Sequence, residues 1–176
     1  MNHQLSLFII LFCFGISAGH TVETNAATEN LSRGWKLILK QNLTIPAYEA
    51  GVYLQYGKIV SVQERDQYYS NCRLEVRDPQ EHPQVVEADS FTVYRVKRSE
   101  EDASLYTPQY ASTVLSMASP TADDYITTLY LRSKQQPDVI KLECRHWEDP
   151  SVFPEHLSLK QIRDTLGEIF TLASSK

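Results

Sequence analysis

The sequence contains 176 residues, 42% of them hydrophobic, and carries a formal net charge of −5 at pH 7. A chain of this length can form one domain with a hydrophobic core. Its mild acidity argues against nucleic-acid binding, and its densest basic stretch, at 95–98, is followed at once by the acidic residues 100–102.

The first residues have the pattern of a secretory signal peptide. Residues 5–16 form a nearly uninterrupted apolar run, and small residues follow at 17–19. A transmembrane helix needs about 20 apolar residues, so this run is too short to serve as an anchor. We therefore expect cleavage after Gly19, with Ala18 and Ala27 as alternative sites. The mature protein would then lie in the periplasm or the extracellular space without a transmembrane segment.

Beyond residues 1–19, the segment 20–32 is polar and is predicted to be a flexible leader. The remainder, 33–176, is predicted to be a single β-rich domain. It contains Cys72 and Cys144, an isolated pair that is usually oxidised in an exported chain. Around each cysteine, apolar and charged residues alternate as in a half-buried strand. Both sulfurs should therefore point into the same core, and we predict that they form a disulfide.

Alternating apolar and polar residues predict a series of strands along this domain. The strongest patterns are at 91–96, 125–132 and 140–145, and the turn-forming residues 135–138 predict a hairpin between the last two. A polar loop is expected at 63–71. Weaker strand patterns lie at 35–39, 42–46, 52–56, 59–62 and 72–77, while 110–117 is compatible with a strand or a short helix.

One helix is predicted near the C-terminus, with Ser158 as its N-cap and Gln161 completing a capping box. Leu157 and Ile162 are spaced as a hydrophobic staple. Apolar residues at helical spacing predict that the helix continues to about Ala173. These residues are Leu159, Ile162, Leu166, Ile169 and Leu172 or Ala173. The predicted fold class is mainly β, a β-sandwich or antiparallel sheet with one C-terminal α-helix, and the alternative is an α+β fold.

Five segments occur along the chain in this order: 43–60 (LTIPAYEAGVYLQYGKIV), 66–76 (DQYYSNCRLEV), 89–96 (DSFTVYRV), 140–144 (IKLEC) and 158–166 (SLKQIRDTL). Together they resemble small exported proteobacterial proteins of unknown function, over most of the mature chain. The resemblance implies a bacterial envelope location, in which the N-glycosylation patterns at Asn30 and Asn42 are coincidental. It implies no activity and no binding residue.

Two arrangements of histidines suggest metal binding, but neither is favoured. Cleavage after Gly19 would give His20 a free amine, which together with its imidazole suits Cu(II). The second ligand would then be His82, His146 or His156. The other arrangement has zinc-ligand residue types, but prolines interrupt it, and solvated loop residues are the preferred interpretation. It comprises His146, Glu148, Asp149 and His156. No metal or cofactor is therefore assigned.

The sequence contains no nucleophile motif such as G-x-S-x-G, so we assign no catalytic residue and favour a non-enzymatic function. Its most distinctive feature is its ten tyrosines. Exposed tyrosines suit recognition, because each ring offers apolar area and a hydrogen-bonding tip at little cost in side-chain entropy. Two lie in the polar loop at 63–71 and two in a long excursion expected at 99–119, and we predict that all four bind a protein or another envelope component. They are Tyr68, Tyr69, Tyr106 and Tyr110.

Two alternatives to this binding function remain open at the level of the sequence. One is a small envelope hydrolase or metal-dependent enzyme using His146 and nearby carboxylates. The other is a structural periplasmic factor. A cleft that holds His146 beside a carboxylate would favour the enzyme, whereas an exposed patch of tyrosines would favour binding.

Overall fold

The computed structural model describes residues 30–103 and 122–174. The segment that carries Tyr106, Tyr110 and the pattern at 110–117 lies outside these residues. The elements are β1 (Lys36–Leu39), β2 (Leu43–Ile45), β3 (Gly51–Gln55), β4 (Lys58–Val60), β5 (Asn71–Val76), β6 (Gln84–Val86), β7 (Asp89–Asp102), β8 (Asp123–Arg132), β9 (Val139–Glu148), α1 (Leu159–Leu166) and β10 (Phe170–Ala173).

Eight of the strands form one curled antiparallel sheet in the order β10-β1-β7-β8-β9-β5-β3-β4. The strands β2 and β6 pair separately as a two-stranded ribbon. The sheet packs against α1, which follows β9 in the chain. The mainly β prediction, with an antiparallel sheet and one C-terminal helix, is therefore confirmed.

The hydrophobic core lies on the side of the sheet that faces α1, which we call the inner face; the opposite side is the outer face. Alternation along each strand puts apolar residues on the inner face, as in β5, where Cys72, Leu74 and Val76 are buried. Ile162 and Leu166 of α1 complete this core. The core also contains Leu37, Leu54, Phe91, Val93, Leu129, Leu142, Phe170 and Leu172.

The inner face becomes polar at one end, and a bulge in β7 determines which side chains lie there. The register of β7 against β8 shifts between Val93 and Arg95. Such a shift inserts an extra residue and moves later side chains to the other face. Beyond the bulge, Val96, Arg98 and Glu100 lie on the inner face. On this face of β7, the apolar Val96 is therefore followed by two charged side chains.

The predicted disulfide joins two neighbouring strands. Cys72 in β5 lies directly opposite Cys144 in β9, with 4.0 Å between their Cα atoms and 2.06 Å between their sulfurs. Both side chains are fully buried in the core. The alternation around each cysteine therefore predicted its face correctly. The predicted hairpin is confirmed as well, because β8 and β9 pair antiparallel along most of their length.

The helix α1 begins as the sequence predicts but ends earlier. The Ser158 side chain accepts a hydrogen bond from the Gln161 backbone N–H, and the Gln161 side chain accepts one from the Ser158 N–H. However, the helix ends at Leu166, because Gly167 has φ +54° and ψ −137°, a conformation that other residues rarely adopt. The extension to Ala173 was therefore wrong.

The residues after Gly167 form β10, which pairs antiparallel with β1. Phe170 and Leu172 alternate with half-buried residues and point into the core. The positive φ of Gly167 also lets the chain approach the turn between β3 and β4. A Cβ on Gly167 would lie 2.5 Å from the Gly57 Cα, and the Gly57 N–H donates to the Thr165 carbonyl at 3.0 Å. This contact joins the end of α1 to the far edge of the sheet.

Leu31 is 8% exposed and belongs to the core, although it falls within the segment 20–32 that was predicted to be a flexible leader. Within residues 30–103 and 122–174, no helix has the length and hydrophobicity needed to span a membrane.

Candidate functional site

The two described tyrosines of the predicted binding set are exposed. Tyr68 is 55% and Tyr69 57% exposed, and both lie in the loop 61–70, which joins β4 to β5 across the outer face. The other two, Tyr106 and Tyr110, lie outside the described residues.

Tyr68 and Tyr69, which are adjacent in the chain, each pair with one further aromatic ring. The ring centroid of Tyr69 lies 6.1 Å from that of Tyr56, and the ring of Tyr68 meets Trp147 edge-on with 5.7 Å between centroids. Aromatic pairs at these distances attract one another beyond the burial of their surface. We call Tyr56, Tyr69, Tyr68 and Trp147 the aromatic row.

The loop that carries the two tyrosines is ordered by the buried side chain of Gln55. Its amide nitrogen donates to the carbonyls of Asp66, Tyr69 and Ser70 at 2.8, 3.3 and 3.4 Å. Its amide oxygen accepts from the Asp66 N–H at 3.0 Å. Gln55 is 1% exposed, so the loop backbone takes the place of water for this amide.

Two further bonds fix the end of the loop. The buried Asn71 side chain donates to the Tyr69 carbonyl at 3.0 Å, and the backbone N–H of Trp147 donates to the Gln67 carbonyl at 2.9 Å. The tyrosine rings are therefore exposed, while the backbone that carries them is anchored to β3, β5 and β9.

Tyr56 reaches the row from a turn rather than from a strand. The alternation of Val52 and Leu54 suggested that Tyr56 continues β3, but it occupies the turn before β4 with φ +53° and is 64% exposed. Gly57 follows with φ +72°. Two consecutive positive φ values are typical of a type I′ hairpin turn. The assignment of Tyr56 to a strand was therefore wrong.

Beneath the loop, the outer face carries a chain of ion pairs. Arg145 joins Asp124 at 2.7 Å and also pairs with Glu143. Although burial acts in the opposite direction, the hydrogen bond from Lys141 and the charge of Arg145 hold the pKa of Glu143 below its usual range. The chain runs through Asp124, Arg145, Glu143, Lys141, Glu75 and Arg73.

Arg65 of the loop lies above the Tyr53 ring at 4.4 Å, while the Arg73 guanidinium lies 5.2 Å from the same ring. The guanidinium groups of Arg65 and Arg73 are therefore engaged by an aromatic ring of the protein itself. The exposed residues of the loop include Glu64, Asp66, Tyr68 and Tyr69, and none of them is basic.

The polar end of the inner face holds a second cluster, centred on Tyr125. The His146 ring stacks on Tyr125 with 5.9 Å between centroids, and His156 meets the same ring edge-on at 5.7 Å. The His146 Nε2 lies 3.8 Å from Glu148, and the His156 Nε2 lies 4.0 Å from Glu100. We call this cluster the histidine cleft.

His146 and His156 were interpreted as solvated loop residues, which is wrong for His146, whereas His156 does lie in a loop but is partly buried. The strand β9 continues through Glu148, so His146 occupies the inner face two residues beyond Cys144 and is 7% exposed. The side chain of His156 is 20% exposed. Asp149 lies apart from them and accepts a hydrogen bond from Ser151 at the 3₁₀ turn Pro150–Val152.

The chemistry of the histidine cleft is that of largely neutral imidazoles. Burial lowers the pKa of His146, partly opposed by the charge of Glu148, and burial also lowers the pKa of His156. Neither Nδ1 atom has a hydrogen-bond partner among the described residues. Both histidines line a cleft of about 320 Å³, and His156 also borders a cavity of about 770 Å³ against α1.

In the described part of the chain, no group of three or more His, Cys, Asp or Glu side chains is placed to hold a metal ion. His20, proposed above as a copper ligand, lies outside it.

Sequence patterns contained signals for some of the residues that were overlooked. The alternation of Leu142 and Cys144 continues to His146, which marks it as an inner-face residue, and it places Trp147 on the outer face. The glycine after Tyr56 marks a hairpin turn. By contrast, nothing local to Gln55 shows that a loop eleven residues later will cover it.

The sequence matches no protein-family model, and comparison with curated proteins and with solved structures likewise gives no match.

Proposed function

We propose that this protein is an exported, non-enzymatic recognition protein that binds a protein or another envelope component through the aromatic row. The observation that carries the proposal is that the adjacent residues Tyr68 and Tyr69 are both exposed, with Tyr69 in ring contact with Tyr56 and Tyr68 in ring contact with Trp147. The exposed rings of Tyr56, Tyr68 and Tyr69 offer apolar area to a partner.

The order of the loop strengthens this proposal. Binding energy at interfaces is concentrated in a few aromatic or arginine side chains, and immobilising a flexible loop reduces affinity. Here the bonds from Gln55 and Asn71 hold the backbone of Tyr68 and Tyr69 before any partner arrives. Only the side chains would need to be ordered on binding.

The test is capture of partners by the mature protein from the envelope, with crosslinking, comparing wild type with the double variant Tyr68→Ser/Tyr69→Ser. We expect the variant to lose captured partners while its melting temperature changes little, because both rings are more than half exposed. The matched control is Tyr48→Ser/Tyr94→Ser, which removes two exposed tyrosines from outside the row. A double variant that captures every partner as well as the wild type does would refute the proposal.

Export is the second part of the proposal. It is supported by the apolar run at 5–16 and by the Cys72–Cys144 disulfide, which is stable in oxidising compartments. N-terminal sequencing of protein produced with its leader should give a first residue between Gly19 and Thr28. A soluble product that retains Met1 would contradict it.

A hydrolase remains the second candidate function, favoured by the position of His146 in a cleft near Glu148. A buried neutral imidazole beside a carboxylate is suited to general-base catalysis. Among the described residues, however, Ser158 is the serine that lines this cleft, and its hydroxyl is engaged in the helix cap. Turnover of an ester or phosphoester that is abolished by His146→Asn would establish this function in place of simple binding.

A further inference from the structure

We propose that Tyr56, Tyr69 and Asp66 form a binding site for a cationic side chain, an arginine or lysine of a protein partner. This inference rests on the proposed recognition function and specifies the chemistry of one part of the aromatic row.

The two rings lie close together at an angle and leave aromatic surface accessible to a cation. Their centroids are 6.1 Å apart and their planes are inclined at 56°, so the rings do not stack on one another. Tyr56 is 64% and Tyr69 57% exposed, which leaves aromatic surface accessible. The face of an aromatic ring carries negative electrostatic potential and attracts an ammonium or guanidinium group within about 6 Å of its centroid.

A carboxylate lies beside the rings. Tyr56 has a raised pKa, because its surroundings desolvate the hydroxyl and because the negative charges of Asp66 and ionised Tyr69 oppose its ionisation. The geometry agrees with this, because the side chain of Gln55, the residue before Tyr56, forms hydrogen bonds to the backbone of both Asp66 and Tyr69. One oxygen of Asp66 accepts a hydrogen bond from the Tyr68 N–H at 3.0 Å. A carboxylate can accept further bonds, so Asp66 retains capacity to pair with a partner's cation.

Charge complementarity favours a basic partner over an apolar or acidic one. The chain has a net charge of −5. The loop's own arginine, Arg65, lies over Tyr53 at 4.4 Å and hydrogen-bonds to Asn71, so it is directed at the outer face of the sheet. The competing cation is Lys58, which lies opposite Gln55 in the β3–β4 register and is exposed.

The site is held in place before binding. Tyr56 occupies a hairpin turn that is tied to α1 by the bond from the Gly57 N–H to the Thr165 carbonyl. Asp66 is held at both its N–H and its carbonyl by Gln55. The two sides of the site therefore belong to different segments, each fixed by its own hydrogen bonds, and a cation would lose little affinity to ordering them.

The direct test uses three peptides of one length and spacing, Ac-GRGRGRG-NH₂, the same peptide with citrulline for arginine, and the same peptide with glutamate. Citrulline keeps the shape of arginine but has no charge. In NMR titrations of the wild-type protein, we expect the arginine peptide to shift the ring resonances of Tyr56 and Tyr69. The citrulline peptide should bind at least about fivefold more weakly, and the glutamate peptide should not bind.

Matched variants then distinguish the electrostatic attraction of the aromatic faces from the effect of apolar surface area. Tyr56→Phe/Tyr69→Phe keeps both aromatic faces and should bind the arginine peptide like the wild type. Tyr56→Leu/Tyr69→Leu keeps apolar area without them and should bind about fivefold to tenfold more weakly. Asp66→Asn keeps an acceptor for Tyr68 but loses the charge, and it should weaken binding more than Asp78→Asn, an equal charge change at another exposed position. Lys58→Gln should strengthen binding.

Equal binding of the arginine and citrulline peptides by wild type, or equal binding of the arginine peptide by the Phe and Leu variants, would overturn the inference. The peptide comparison uses only the wild-type protein, so it decides the question even if a variant folds poorly. If the arginine peptide fails to bind while partner capture still depends on Tyr68 and Tyr69, the inference is wrong and the proposed function stands. If capture also proceeds without them, the proposed function is wrong as well.

Discussion

At the scale of single residues, Gln55 connects the sheet to the exposed loop 61–70. It lies in a strand, yet its side chain makes four hydrogen bonds to a loop at least eleven residues away. A buried amide that loses these partners leaves several backbone groups unsatisfied, which costs more than the bonds themselves contribute. This residue therefore controls both the stability of the loop and the position of the aromatic row.

We predict that Gln55→Leu lowers the free energy of unfolding by about 1–3 kcal/mol, because the Asp66 N–H and three carbonyls lose their partner. Hydrogen exchange at the Asp66 amide should accelerate even where the fold persists. Gln63→Leu, an exposed glutamine in the same loop, is the control and should leave both quantities nearly unchanged. Unaltered exchange at Asp66 in the Gln55 variant would show that other contacts order the loop.

His146 makes stability depend on pH, and the direction follows from its environment. Burial lowers the pKa of His146 below the usual 6.5, so the unfolded chain binds a proton more readily than the folded protein does. Stability should therefore fall as the pH decreases through 6.5, until the lower pKa of the folded state is passed. Above pH 6.5 this residue contributes no pH dependence. His156 has a pKa lowered in the same direction and adds to the effect.

The corresponding measurement is the denaturation midpoint between pH 5 and pH 8 for wild type and His146→Phe, which keeps an aromatic ring against Tyr125 but cannot titrate. We expect a shallower decline below pH 6.5 in the variant. His82→Gln, at an exposed position, controls for the removal of a histidine. Identical profiles for wild type and His146→Phe would show that other groups cause the acid sensitivity.

At the scale of elements, α1 and β10 show which parts of the fold local sequence determines. The start of α1 depends on Ser158 and Gln161, which lie within one turn, so the sequence predicted it correctly. The end of the helix was not predicted, because the spacing of Leu166, Ile169 and Leu172 also fits a helix. What decides in favour of a strand is pairing with β1, more than 130 residues earlier in the chain. Local periodicity contains no information about that partner.

The docking of α1 can be tested with two substitutions. Leu166 is fully buried between the helix and the sheet, so Leu166→Ala should lower the free energy of unfolding by about 2–5 kcal/mol. Lys160 is largely exposed and pairs with Asp164 within the helix, so Lys160→Ala should cost no more than about 0.5 kcal/mol. Equal small effects in chemical denaturation would mean that α1 contributes little to the core.

The candidate sites illustrate the same division. Tyr68 and Tyr69 could be selected from the sequence because they lie in a polar segment between strands. The ring contacts of Tyr56 with Tyr69 and of Trp147 with Tyr68 could not be predicted, because they depend on the pairing of β3, β5 and β9. The histidine cleft also depends on the β7 bulge, which brings Glu100 to the inner face near His156. The face on which a residue lies could be predicted from alternation within its strand, whereas the register between strands could not be predicted from the sequence.

At the scale of the whole molecule, the disulfide joins β5 to β9, the strand that contributes to both candidate sites. Cys144 is in β9, whose outer face carries Trp147 and whose inner face carries His146. The bond closes a loop of 72 residues that includes β6, β7 and β8. It therefore ties β9, which contributes to both sites, to β5, whose Asn71 anchors the loop of Tyr68 and Tyr69.

We predict that the oxidised protein exposes no alkylatable thiol at Cys72 or Cys144, and that intact-mass measurement detects both only after reduction. In the chain-entropy treatment, closing a loop of 72 residues stabilises the folded state by about 4 kcal/mol, and removing native disulfides from small secreted domains costs about 2–5 kcal/mol. The double variant Cys72→Ala/Cys144→Ala should lose a similar amount without leaving a buried free thiol. Wild type unfolded with and without reductant provides the matched comparison, since its sequence is unchanged. If reduction leaves the denaturation midpoint where it was, the sheet holds β5 and β9 together without the bond, and the disulfide contributes little to the stability of either site.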